Sequence, residues 1–366
     1  MYDSIFSPSF GNRPTQLVGR ERTLARLETG LHARPGSRER ASLILGQRGS
    51  GKTVLLLEMG DRARAEGYAV CTPTTTSNDM PERIIEKLVV ERDRLLGPQH
   101  PTLAEAGLSI LGVSASLRMP QSQTGASFQG RLTALVRELN ANDIPVLVLV
   151  DEVQANSEPI RQLVIAYQEL VGESANIALG MAGLPGAISA TLNDHVLTFL
   201  NRSTRIRLEA ISTGDVDAYF GQSFDALGVQ IDASLRARAA QSTQGSPYML
   251  QLVGHYIVLG ATEGKPATSN LMDEAIELAK ADFETDVCDT TLRALSDVDI
   301  DFLNAMTADA EKSKTSDVAN RLGVSVDYAQ KYRRRLIDSG VIEAAGRGYV
   351  RFAVPYLADH LRRTQG

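Results

Sequence analysis

Gly46-Gln47-Arg48-Gly49-Ser50-Gly51-Lys52-Thr53 stands between a short apolar run, Ala41 to Leu45, and a helical pattern from about Gly51 to Ala65. It fits G-x-x-x-x-G-K-[ST] at every fixed position. Each position has a physical reason. The glycines let the backbone turn its N–H groups inward around an anion. The helix that follows aims its positive end at the same place. Lys52 adds a mobile charge for the β and γ phosphates, and the Thr53 hydroxyl suits a Mg²⁺ ion. All eight residues are therefore expected to hold the phosphates of a nucleotide.

Working outward, helix and buried strand alternate. A helix is read at Glu21 to His32 and a strand at Ala41 to Leu45. Further strands fall at Tyr68 to Thr72, Pro145 to Val150 and Asn176 to Met181. Helices fall at Pro81 to Leu96, Phe128 to Asn140 and Glu158 to Leu170. Strands apolar on both faces alternating with helices predict a parallel sheet covered on both sides. Ser109 to Met119 alternates in character and reads as a hairpin insertion, with Gln121 to Ser127 a polar, mobile stretch. From Ile211 to Phe283 only helical patterns are found. The domains expected are an α/β core over 1–210, a helical lid over 211–290 and a winged-helix domain over 291–366.

The second acidic element closes the strand Val146 to Val150: Asp151-Glu152. A carboxylate at the end of a buried strand sits at the crevice where such sheets bind ligands. Asp151 is expected to hold Mg²⁺ through water, and Glu152 to orient or deprotonate an attacking water.

These two elements, with Leu17-Val18-Gly19-Arg20-Glu21 ahead of them, resemble the AAA+/STAND group of P-loop ATPases. The branch most resembled contains archaeal-type ATPases and the origin-recognition initiators. The resemblance implies ATP/ADP and Mg²⁺ as cofactors, with Lys52, Asp151 and Glu152 at the catalytic centre. It implies that Val18, Gly19 and Arg20 line an adenine pocket. Pro247, in Gly245-Ser246-Pro247-Tyr248, would pack near the adenine from the lid. It assigns Arg202, with Arg205 as substitute, to a γ-phosphate that often belongs to a neighbouring subunit, hence self-association through the core. The sequence also departs from the pattern. Ala182-Gly183-Leu184-Pro185-Gly186 follows the strand that should end in a polar sensing residue, and no lid arginine stands beside Pro247. Slow hydrolysis by a switch is the expectation.

The C-terminal region reads as a winged helix: helices Val298 to Met306, Thr315 to Leu322 and Ser325 to Asp338, then strands Val341 to Ala345 and Tyr349 to Ala353. Ala329, Tyr332 and Leu336 share one face of the third helix and should pack inward. Tyr328, Lys331, Arg334 and Arg335 would face outward, with Arg347 at the wing tip, an arrangement suited to duplex DNA. Charge agrees. The chain carries −6 overall. Lys312 to Arg351 holds nine Lys/Arg against four Asp/Glu, so this basic segment ends an acidic chain. The two readings in view are a DNA-binding initiator-like ATP switch and a STAND-type signalling or defence ATPase whose winged helix contacts protein.

The composition excludes other classes. Hydrophobic residues make up 43%, enough for a sizeable core, yet no apolar run approaches bilayer length, so no membrane role is expected. Met1 to Pro14 lacks the pattern of a secretory signal. Two cysteines give no disulfide framework and five scattered histidines no zinc site. A cytoplasmic location fits.

Overall fold

The structure, a computed structural model, describes residues 5–8, 14, 16–97, 127–195, 197–262 and 264–364. The suggested hairpin at Ser109 to Met119 and the stretch 121–126 lie outside the described residues.

The core begins with α1 (Glu21–His32), whose Leu24, Leu27 and Leu31 fall on one buried stripe. Next come β1 (Ala41–Leu45), buried at all five positions, and α2 (Lys52–Ala65). They are followed by β2 (Ala69–Thr75), α3 (Met80–Leu96), α4 (Phe128–Ala141), β3 (Val146–Val153), α5 (Glu158–Gly172) and β4 (Ile177–Gly183). A helix not anticipated, α6 (Pro185–Asn193), starts at once on Pro185, which suits a first-turn position. A 3₁₀ turn, Thr198–Arg202, leads to β5 (Thr204–Arg207).

The five strands are parallel in the order β2-β3-β4-β1-β5. One face buries Leu24, Ile44, Leu56 and Leu149 with their neighbours; the other buries Leu43, Val148, Tyr167 and Leu179 with theirs. Ligand crevices form at strand carboxyl ends in such sheets. Here the ends of β1, β3 and β4 converge.

The lid contains α7 (Thr213–Leu227), α8 (Ala233–Ser242), α9 (Pro247–Gly260) and α10 (Ser269–Phe283). A π-helical turn, Glu284–Asp289, and the short α11 (Thr290–Arg293) carry the chain onward. Then follow α12 (Asp297–Met306), β6 (Ser313–Lys314), α13 (Thr315–Leu322), α14 (Val326–Asp338), β7 (Ile342–Ala344), β8 (Tyr349–Phe352) and α15 (Leu357–Thr364). Strands β6-β8-β7 form an antiparallel sheet. Helix, strand, two helices and a hairpin is the order of a winged helix.

Two features depart from the expected domain limits. Phe6, in the segment ahead of α1, is buried among Tyr219, Phe220 and Phe224 of α7 rather than in the core. Gly254 on α9 makes room for it: a Cβ there would come within 2.3 Å of the Phe6 ring. The lid and winged helix also share one continuous apolar cluster, running from Phe220 through Phe283 to Phe302 and Leu336. The boundary near residue 290 is thus a change of topology without a gap in packing.

Candidate functional site

The loop between β1 and α2 is built as the glycine spacing requires. Gly51 caps α2 at φ 87°, in the left-handed region that glycine adopts without strain. A Cβ on Gly46 would meet Ser50 Oγ at 2.3 Å. Lys52 Nζ donates to the carbonyls of Gly46 and Gln47, at 3.0 and 2.7 Å. Burial pushes the Lys52 ammonium down to about 8; Asp151 opposes this and Arg48 adds to it.

Across the crevice, Asp151 is buried at the end of β3. Its Oδ2 accepts from Thr53 Oγ1 at 2.5 Å and its Oδ1 from the Glu152 N–H at 2.8 Å. Glu152 is exposed, and its backbone stands at φ 51°, an uncommon setting for a residue with a side chain. The register explains it. Val150 pairs with Met181 and Val153 with Gly183, so β3 holds one residue more than β4 between those pairs. Asp151-Glu152 is a bulge.

A cleft of about 990 Å³ joins these groups to the lid. Arg48, Lys52, Thr53, Asp151 and Glu152 line one end; Leu17, Val18, Ile211 and Leu250 give the other an apolar wall. That combination of an apolar slot and a few convergent polar groups is the form of a ligand pocket. Pro247, the first residue of α9, lines the cleft, its Cγ 3.9 Å from where a Cβ on Gly51 would lie. The start of α9 therefore sits against the phosphate loop.

Other expected site residues fall differently. Arg20 lines the cleft but also braces its back: the buried guanidinium donates to the Glu209 carbonyl at 2.8 Å and reaches that of Ser50 at 3.5 Å. Gly19 is a turn at φ 66° packed on Ile211 and does not line the cleft. Arg202, just before the edge strand β5, and Arg205, within it, are exposed and lie outside the cleft of their own chain; Arg205 donates to Asn201 Oδ1.

Three further contributors to the cleft were given no role by the sequence. Gln154 follows the bulge. Tyr248 donates to Asp286 at 2.5 Å, bringing the π-turn to the cleft wall. The Ser7 N–H donates to Gln251 Oε1 at 2.9 Å, so the lead-in closes the apolar end.

On α14, Ala329 and Leu336 are buried, and Tyr328, Lys331 and Arg334 exposed. Tyr332 is half-buried and organises the face. Its hydroxyl lies 3.0 Å from that of Tyr328, with the Lys331 ammonium and the Arg335 guanidinium 5.8 and 4.9 Å from its ring centre. One expectation needs correction. Arg335 is exposed as expected but is not a free cation: it grips buried Asp299 with Nε and Nη2, and Nη2 also donates to Ser296. Asp299 and Ser296 form the capping box of α12, so Arg335 holds two helices together. Arg347 is exposed in the turn between β7 and β8.

The far end of α14 is docked on the core. A Cβ on Gly186 of α6 would meet the Asp338 carbonyl oxygen at 2.0 Å, and one on Gly340 would meet Gln47 Oε1 at 1.9 Å. The turn after α14 thus rests on the second residue of the phosphate loop.

The comparisons agree with this geometry. The AAA ATPase domain family matches residues 16–179, and a domain of unknown function matches residues 285–361. A Walker-type ATPase of Pyrococcus abyssi shares 18% identity and a TM-score of 0.66, over 98% of this chain and 99% of that one. The Aeropyrum pernix ORC2 protein, in ADPNP–ADP complexes, shares 16% identity and a TM-score of 0.65, over 99% and 96%. Among curated proteins none matches in sequence. The core is an AAA+ P-loop ATPase domain. The whole chain has the fold of the Walker-type and archaeal ORC ATPases, a likeness that at this identity concerns architecture. No described helix is long and apolar enough to cross a membrane.

Proposed function

We propose that the protein is an ATP-binding, slowly hydrolysing switch that binds duplex DNA through its winged helix. The phosphates would lie along Gly46 to Thr53 and the adenine against Val18, Leu250 and Pro247. Mg²⁺ fits the site: Thr53 Oγ1 and Asp151 Oδ2 are oxygen donors side by side at 2.5 Å. A small hard cation takes one or two such ligands and completes its shell with phosphate and water. Bound there, it would neutralise charge on the β and γ phosphates. Glu152 would accept the proton of the attacking water. Arg202, outside its own cleft, would serve a neighbouring copy.

The observation that carries the switch reading is the seat of Gly340 on Gln47. A loop that tightens around phosphate moves the surface on which α14 rests, and two packed arrangements separated by a ligand are a switch. The free end of α14 is its N-terminal half, the part of a recognition helix that reaches base edges. Tyr328 and Lys331 lie there. Arg334 and Arg347 add charge for phosphates.

The STAND-type reading, in which the winged helix meets protein, is favoured by two observations. Arg335 is committed to Asp299, and Val326 and Tyr328 expose apolar surface, at 46% and 42%. Duplex binding titrated with salt separates the two. DNA binding should weaken steeply with salt, and Lys331→Ala with Arg334→Ala should flatten the log–log slope by about two, one per lost phosphate contact. No salt-dependent duplex binding would leave the protein-partner reading.

A further inference from the structure

We propose that Gln154, supplied by β3, takes over the sensing of the γ-phosphate and the holding of the attacking water, work that the end of β4 cannot do in this chain. The inference rests on the hydrolytic reading above.

The starting point is steric. β4 lies beside β3 and its carboxyl end opens into the cleft, so a polar side chain there would face the phosphates. The residues found are Gly183 and Leu184, and Leu184 lines the cleft without a polar atom on its side chain. Position 183 is also crowded, so a side chain there would need its neighbours to give by a few tenths of an ångström. A Cβ on Gly183 would sit 3.1 Å from the Val153 carbonyl oxygen, 3.2 Å from Val153 Cβ and 3.3 Å from Ile188 Cδ1. Val153 takes that space because the bulge brings it back into register opposite Gly183.

The same bulge determines what comes next. By inserting one residue, it lets β3 run to Val153 and deliver Gln154 at the level of Leu184. Val153 is buried and Gln154, the first residue past the strand, is exposed. Gln154 lines the same cleft as Lys52, Thr53, Asp151 and Glu152. The positive φ of Glu152, 51°, is the strained element that makes this placement. Strain of that kind persists where the surroundings over-determine it.

The chemistry suits an amide. In hydrolysis, the water oxygen bonds to the γ-phosphorus as the bond to the β–γ bridging oxygen breaks. ADP leaves with that electron pair and Glu152 takes the water proton. Gln154 exchanges no proton. Its amide N–H donates to a γ-phosphate oxygen and its carbonyl accepts from the water, orienting an oxygen lone pair at phosphorus. The amide neither titrates nor repels phosphate, as a carboxylate in its place would.

Steady-state turnover and equilibrium binding of ATP and of ADP test this in Gln154→Ala, Gln154→Glu, Glu152→Gln and the full-length wild type. Gln154→Ala should lower kcat about 100-fold, the scale for one lost transition-state donor. ADP affinity should hold within about twofold and the preference for ATP should shrink. Gln154→Glu should turn over no faster than Gln154→Ala. Leu184→Asn added to Gln154→Ala should restore about tenfold, since it returns an amide from the β4 side. Wild-type turnover in Gln154→Ala beside a dead Glu152→Gln would overturn the assignment and leave the ATPase reading intact. Equal loss of ATP and ADP affinity would show a structural role and also overturn it. Wild-type turnover no higher than that of Glu152→Gln would bring down both readings.

Discussion

Lys52 and Lys331 both present an ammonium group, and their surroundings differ as much as the molecule allows. Lys52 stands in a desolvated cleft, its ammonium pushed down to about 8, facing Asp151, which Thr53 and a backbone N–H hold in place. Lys331 lies exposed on α14, over the half-buried Tyr332 ring. Charges in a dry, fixed setting act strongly and are little screened. Charges on an open face act weakly one by one and together, through released counterions. The cleft should therefore fail with single substitutions, and the winged helix only with several.

The largest effect expected follows from that contrast. Lys52→Ala should weaken ATP binding at least 100-fold with the fold intact, because the ammonium would meet the β and γ phosphates and packs in no core. Calorimetric titration with ATP, beside the far-ultraviolet spectrum, would check it. ATP affinity at the wild-type level in folded Lys52→Ala would break the comparison at once.

Next is Glu152→Gln, expected to bind ATP normally while turnover falls about 100-fold or more, since an amide can hold a water and cannot accept its proton. A single-turnover assay reads it directly.

A pH series sharpens the same side. The sign follows from linkage. Phosphate favours the protonated lysine, so the pKa of Lys52 must be higher in the complex than in the free protein, where it is about 8. ATP affinity should be flat below about 8 and fall as pH rises through it, by up to about tenfold per unit. Above 8 the nucleotide phosphates are already fully ionised, so the fall reports Lys52. An unchanged affinity from pH 7 to 9.5 would mean that its charge does not contribute.

On the other side, Asp299→Ala should cost about 1–2 kcal/mol of stability, because it removes half of the capping box of α12 and the tie from Arg335. Chemical denaturation measures it. Arg202→Ala should bring the smallest change, a loss of turnover only at concentrations where the protein self-associates, seen as a concentration-dependent difference from wild type.

Much of this arrangement is legible in local sequence, and what is missed shares one cause. α1 and β1 fall where periodicity and apolar run place them, at Glu21–His32 and Ala41–Leu45, and the phosphate loop stands where its spacing says. These signals lie within a few residues of the atoms they describe. Arg335 and Asp299 are 36 residues apart, so helical phase could turn Arg335 outward and could not supply its partner. Nothing local gives Phe6 its place until α7 and α9 build the socket around it. The Asp151-Glu152 bulge is invisible because a run of apolar residues ending in acids does not carry its register with β4. With the bulge unseen, Gln154 could not be placed.

One of the contacts that join the two regions, Gly340 on Gln47, is likewise long-range, and the proposed switch depends on it. Its most direct test is duplex DNA affinity at one fixed salt concentration, measured by fluorescence anisotropy in non-hydrolysing Glu152→Gln with saturating ATP and then with saturating ADP. A coupled switch predicts a difference of at least about fivefold between the two nucleotides, the lower end of ordinary allosteric coupling. It also predicts that Gly340→Ala shrinks this difference, because a Cβ there strains a backbone at φ 72° and collides with Gln47. Equal affinity in the two states, with duplex binding itself present, would contradict the account.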